Sequence, residues 1–183
     1  MAISLERKIT DALPADIDVV PVGLIFDRTK SSPLYYLWFD GQDRMPDQLL
    51  RGEDGRFVAF SGVERCISWV RKHHDKYRIE KCAPEPSVVI DAVCAIGDLE
   101  SQSQVESGDN LVNFLHLLDD FLSSFHDSTY ASEASAIMDV AVYFFENKDS
   151  LAGYFRKGKT RREFVSLIHD VTNRILLNTC VVA

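Results

Sequence analysis

The chain reads as an α+β fold: a small antiparallel sheet in the N-terminal half, packed with several helices, and a mainly helical C-terminal half. Three observations predict this. Strand-like apolar runs stand before residue 61, amphipathic repeats of helical period dominate after it, and a break from Pro84 to Pro86 separates the regimes. At 183 residues the chain has the size of one domain (1–183), with a sheet-containing part at 1–82 and a helical part at 87–183. Hydrophobic residues at 46% and charged residues at 26% are enough for a core and leave no low-complexity tract.

The first strand is VVPVGLIF, residues 19–26, where Pro21 and Gly23 favour a sheet edge or a bulge. LYYLWF (34–39) is a stronger strand, and DRTKSSP between them has hairpin turn residues, so the pair should run antiparallel. Asp54-Gly55 predicts a tight turn into a third strand from Arg56 to Phe60. Ser61 and Glu64 have capping-box spacing and open a helix whose apolar stripe is Val63, Cys66, Ile67 and Val70. Trp69 falls beside Arg65 and Lys72, off that stripe, and is read as packing rather than as a contact residue.

Beyond the proline break, Ser107 or Asp109 caps a helix to about Phe125. Its stripe is Leu111, Leu115, Leu118, Leu122 and Phe125, widened by Phe114 and Phe121, and Asn113, His116, Asp120 and Ser124 line the opposite side. Residues 131–145 are apolar almost all round, so this helix, carrying Ile137, Met138, Val142 and Phe145, is expected to be the central buried one. Thr160 and Glu163 repeat the capping box ahead of a last helix through Phe164, Ile168, Val171 and Ile175.

Net charge is −8, which argues against general nucleic-acid binding. From Asp98 to Asp149 eleven acids face Lys148 alone, a net −10, whereas residues 154–174 carry +4. The basic stretch YFRKGKTRR (154–162) could hold an anion at a helix start, but neutralising the acidic segment before it is the favoured reading. The opening residues, MAISLERK, contain no signal peptide, and no run reaches the ~18 apolar residues of a membrane span, so a cytoplasmic location without membrane contact is expected. Cys66, Cys82, Cys94 and Cys180 have no zinc-like spacing and are read as reduced thiols.

The loop FDGQDRMPDQLLRGEDGRF (39–57) gathers Asp40, Asp43, Asp47, Glu53 and Asp54. Calcium ligation would require oxygen donors at alternating positions around a central Gly, a frame that these residues do not supply, so no metal site is assigned. Cys66 with His73, or Ser124 with His126, could form a nucleophile pair, but neither has a strained turn or a glycine-rich oxyanion loop. His73 and His74 near a helix C-terminus are read as dipole partners. His116 with Asp119 and Asp120 has i, i+3 and i, i+4 spacing, which suits an oriented base or, more simply, a solvated face. No phosphate-cradling glycine motif occurs, no cofactor is expected, and no catalytic residue is assigned.

The aromatic strand YYLWFD, the exposed loop ending in a Gly turn, the return GRFVAFSGVERCISWV into a helix, and the later helix NLVNFLHLLDDFLSSF together resemble bacterial immunity proteins of polymorphic-toxin and contact-dependent growth inhibition systems. The resemblance runs from about residue 20 to residue 126. Where relatives would carry a Trp-Asn pair, this chain has Leu115 and His116. The resemblance implies a non-enzymatic protein that neutralises one cognate toxin domain, of nuclease type, by occluding its active site or substrate surface; a monomer is expected rather than an obligate oligomer. For such a basic partner the candidate contacts are Asp40, Asp43, Asp47, Asp54, Asp119 and Asp120. Two competing expectations are a small cytosolic hydrolase or nuclease whose carboxylates and His converge in three dimensions, and an adaptor for an unrelated protein.

Overall fold

The structure, a computed structural model, describes residues 17–27, 29, 32–40, 47–77, 79–83, 86, 88–101, 108–125, 128–147, 151, 154–155 and 158–182. The chain forms two compact units, one of Met1–Val89 with Leu177–Ala183 and one of Ile90–Leu176. The boundary between the units lies at 89/90, and the segment Leu177–Ala183 belongs with the sheet-containing unit. The α+β class is observed.

The first unit is built on a mixed sheet of β1 (Ile17–Ile25), β2 (Leu34–Phe39), β3 (Gln48–Leu49), β4 (Phe57–Phe60), β5 (Ile79–Cys82), β6 (Val88–Asp91) and β7 (Thr179–Val182). The strand order is β5-β1-β2-β4-β7, with β3 also paired to β2 and β6 to β1. The expected antiparallel trio β1, β2 and β4 is its centre, and parallel strands flank it: β5 against β1, and β7 against β4. β1 is thus an interior strand, not the edge that Pro21 and Gly23 suggest. Pro21 pairs with Leu37 on the β2 side, while the β5 ladder covers only Ile17 to Val19, so the missing proline N–H interrupts no bond to β5. Gly23 is needed for space, because a Cβ there would lie 3.1 Å from Val89 Cγ2 and 3.2 Å from Tyr35 Cε1.

Alternation along these strands fills both faces. Val19, Leu37, Phe39, Leu50, Val58 and Phe60 form one buried cluster with Cys66, Trp69 and Val70 of α1 (Val63–Tyr77). Leu24, Tyr36, Leu49, Phe57 and Ala59 are buried on the opposite face. Each fully buried large apolar side chain stabilises by roughly 1.5–3 kcal/mol. Trp69 lies inside the cluster, stacked on His73 with ring centroids 4.4 Å apart and tilted against Phe60 at 6.5 Å, which bears out the packing reading. α1 begins at Val63, and Ser61 joins the sheet through its N–H to Val182 O at 3.4 Å. The Tyr36 hydroxyl meets Thr179 Oγ1 at 3.3 Å, and burial pushes it up to about 12 despite that bond.

The second unit is helical: α2 (Ala92–Glu100), α3 (Gly108–Ser124), a 3-10 turn at Ser128–Tyr130, α4 (Ala131–Glu146) and α5 (Gly158–Leu177), which ends one residue into the first unit. Asp91 caps α2, its Oδ1 accepting from Cys94 N at 2.8 Å. Asn110 clasps the same residue: its Oδ1 accepts from Asp91 N at 2.8 Å and its Nδ2 donates to Asp91 O at 2.9 Å. One side chain thereby joins the start of α2 to α3.

The central helix is α3, not α4. Leu111, Phe114, Leu115, Leu117, Leu118, Phe121 and Leu122 of α3 are buried, as is Ser124, expected on the polar side, whose hydroxyl donates to Asp120 O at 2.7 Å. In α4 only Ile137, Val140, Ala141 and Phe144 are buried, while Val142 and Phe145 are 48% and 72% exposed. Two apolar stripes share this helix and one faces solvent. α5 starts at Gly158, so Thr160 sits in its first turn and is not the cap, but Phe164, Ile168, Val171 and Ile175 are buried as expected.

Candidate protein-docking surface

Six acidic positions come from the sequence as candidate contacts, and the structure separates them into different roles. Asp43 lies outside the described residues. Asp54 belongs to its own turn. Arg56 N donates to its Oδ1 at 3.1 Å, and the Arg56 guanidinium reaches its Oδ2 at 2.7 Å and 2.8 Å, which holds the carboxyl below its usual range. Gly55 takes a φ of 76°, accessible to glycine at little cost, and its carbonyl accepts from Arg51 Nε at 2.7 Å. With Gly52 N on Arg56 O at 2.7 Å and the Arg51 guanidinium 5.7 Å from the Phe57 ring centroid, the turn closes on itself. Asp54-Gly55 is a structural turn feeding β4, as its sequence indicates.

Asp40 and Asp47 come together, and a residue that sequence reasoning missed joins them. β1 pairs Val19 with Phe39, and β3 pairs Gln48 with Phe39 across the other side of β2. The Asp40 N–H donates to Asp18 O at 3.1 Å, which continues the β1–β2 contact by one residue; Asp47 immediately precedes β3, whose ladder with β2 ends at Gln48 opposite Phe39, and on its other side Asp18 is in register with Lys81 of β5. Neighbouring strands lie about 4.8 Å apart, so the backbone positions of Asp18, Asp40 and Asp47 adjoin at one end of the sheet. All three are half-buried. Trp38, two residues from Asp40 and therefore on the same face, has a buried Nε1 with no hydrogen-bond partner among the described residues. Asp18 shows no signal in the sequence because it stands outside the acidic loop; only the β1–β2 register reveals it.

Asp119 and Asp120 sit side by side on α3 with different surroundings. Burial raises the Asp119 carboxyl, and the charge of the exposed His116 opposes that shift. Asp120 is half-buried, and its carbonyl accepts the Ser124 hydroxyl. His126, the proposed partner of Ser124, lies outside the described residues. Cys66 is fully buried and its thiol is pushed up to about 12 by burial, the condition of an inert core thiol. His73 Nδ1 lies 2.7 Å from Trp69 O and His74 Nδ1 2.9 Å from Arg71 O, so both rings donate to carbonyls of their own helix. Among the described residues no group of three or more His, Cys, Asp or Glu side chains is arranged to hold a metal ion.

The charge reversal between residues 98–149 and 154–174 also resolves into contacts. Arg161 donates to Leu99 O at 2.6 Å and Asp98 O at 3.3 Å, covering carbonyls at the C-terminal end of α2. His169 Nε2 meets Glu100 Oε1 at 2.9 Å. Arg174 grips both Glu133 oxygens at 2.7 Å and 3.3 Å, with its guanidinium 4.7 Å from the Tyr130 ring centroid. Arg156 and Lys157 lie outside the described residues. Asp109, Asp119, Asp139 and Glu146, by contrast, make no ion pair among the described residues.

No helix among the described residues is long and apolar enough to cross a membrane. No family model, curated protein or solved structure matches the chain.

Proposed function

We propose that the chain is an immunity-type inhibitor that binds a basic surface of one cognate toxin domain, of nuclease type, in the cytosol and occludes its active site or substrate surface without catalysis of its own. The observation that carries this reading is the group of acids Asp18, Asp40 and Asp47 beside Trp38. The three acids are each half-buried and adjoin at one end of the sheet, an anionic cluster suited to a cationic partner. The negative potential would steer such a partner, raising association from ~10⁵–10⁶ toward ~10⁸ M⁻¹s⁻¹ at low salt. Trp38, half-buried, would add apolar ring surface next to the charges. Asp119 and Asp120 remain candidate contacts within the helical unit, and Asp54 is the weakest of the original set because Arg56 already holds it.

Co-expression with the toxic domain encoded immediately upstream tests the reading. Rescue of growth is expected, and cells that die equally fast with and without this protein would overturn it for that pair. In the purified complex, Asp40→Lys with Asp47→Lys should slow association and flatten its salt dependence. An unchanged rate would remove the cluster from the interface.

A further inference from the structure

In α4 the side chains of Ala131, Ser135, Met138, Val142 and Phe145 follow one another at spacings of four, three, four and three residues. That spacing keeps successive residues on one stripe of a helix, the pattern by which two helices pack side by side. Ala131, Ser135, Val142 and Phe145 are exposed and Met138 is half-buried, so the stripe is turned outward. It runs for about 21 Å at 1.5 Å per residue. One flank carries Ser132, Asp139 and Glu146, all exposed, and the other carries Ala134 and Ala141.

We infer that this outward stripe of α4 is a docking seam for an amphipathic helix of a partner protein whose apolar positions are bordered by Lys or Arg. A narrow, straight stripe of this length suits a helix laid alongside, and the acidic flank of Asp139 and Glu146 specifies its charge. A second copy of this chain fits poorly. Antiparallel self-pairing sets the Asp139 and Glu146 flank against itself, and parallel self-pairing sets it against the side of Ala134, where Ala141 is buried and no cation of α4 stands. Neither arrangement supplies a cation from the described residues of α4. A basic helix does, and it covers Phe145, an aromatic of the kind that anchors protein contacts. The seam does not depend on the toxin reading, because neither the acids at the strand ends nor any toxin enters its derivation or its test.

The probe is a dye-labelled 21-residue synthetic helix with Leu at the seam positions and Lys on both flanks, titrated with the full chain by fluorescence anisotropy at low and high salt. Its counterpart carries Glu on both flanks. Binding of the Lys peptide is expected to weaken at least about tenfold with Phe145→Ser or Val142→Ser, both exposed positions that leave the fold intact by circular dichroism, and comparably with Asp139→Lys plus Glu146→Lys. The Glu peptide should bind at least about tenfold more weakly than the Lys peptide. Equal binding of both peptides, or Lys-peptide binding that survives Phe145→Ser, overturns the inference. So does a concentration-dependent dimer in sedimentation that Phe145→Ser abolishes, which makes a second copy the occupant. Phe145→Trp reports on the free chain: an indole shielded from acrylamide in the monomer would show that a segment of the chain itself already covers the seam, and an accessible one supports an open surface.

Discussion

Phe144 and Phe145 are consecutive in α4 and chemically identical, yet one is 6% and the other 72% exposed. Replacing each by Ala separates the two stripes of this helix. Phe144→Ala removes a packed ring and leaves a cavity, which costs ~3–5 kcal/mol in well-packed cores. Its slight residual exposure and the loose packing of a helix end place the expected cost near ~3 kcal/mol. Phe145→Ala gives up only the small fraction of its ring that is covered, about 0.5 kcal/mol or less, and gains a similar amount from the better helix propensity of Ala. Its net effect should lie within ~0.5 kcal/mol of zero. Urea unfolding at equal protein concentration reads the contrast, because a 3 kcal/mol loss moves the midpoint down by about 1–3 M while the slope stays constant. Equal losses for the two variants, or a larger loss for Phe145→Ala, would mean that α4 presents a different face to the core. The docking seam would fall with that result.

Other consequences follow from single contacts. A Cβ at Gly108 would lie 3.1 Å from Phe144 Cε1, so Gly108→Ala should destabilise by ~1–3 kcal/mol in the wild-type background and by less beside Phe144→Leu, a coupling of at least ~0.5 kcal/mol in a double-mutant cycle. Asn110→Leu deletes both bonds to the Asp91 backbone and should cost ~1–3 kcal/mol, measured by thermal unfolding. Arg161→Ala uncovers the carbonyls at the end of α2, with an expected loss of about 1.5–3 kcal/mol in the same assay, and Arg161→Lys should recover only part because a single ammonium cannot reproduce the guanidinium fork. Burial raises the Asp119 carboxyl, so the folded state binds its proton more tightly than the unfolded chain, and stability falls as pH rises from below the ordinary value of 3.8 through the raised folded value. Asp119→Asn should therefore be more stable than wild type at neutral pH, with the difference vanishing in acid; an equal difference at both would refute the assignment.

Much of the fold was legible because local chemistry and tertiary contact agree. LYYLWF is strand-forming on either face, and Asp54-Gly55 carries its own turn through the Arg51 and Arg56 contacts. The leucine-rich repeat of α3 has enough apolar width to be buried on more than one side. Legibility failed where two local solutions were equally good. The α4 sequence supports either of two stripes, and only contact with α3 selects Ile137, Val140, Ala141 and Phe144 as the inner one. TCVV follows α5 after the single turn residue Asn178, too short a break to separate it in sequence from the helix, and it becomes a strand where β4 offers it a ladder. The candidate site divides the same way. Composition pointed to the acidic loop, but composition cannot distinguish Asp54, held by Arg56, from Asp40, joined through its N–H to Asp18.

By itself the sequence determined the class of fold, the central antiparallel strands, the positions of the main helices and the opposing charges of residues 98–149 and 154–174. These depend on period, turn chemistry and net charge, which act over a few residues or through simple sums. The tertiary structure alone decided that β1 is interior, that the chain's last strand returns to β4, that Asp18 joins Asp40 and Asp47, and that Phe145 faces outward beside a buried Phe144. Each of those depends on which distant segment lies alongside, and strand register and helix rotation are fixed by the packed partner rather than by the residues that it covers.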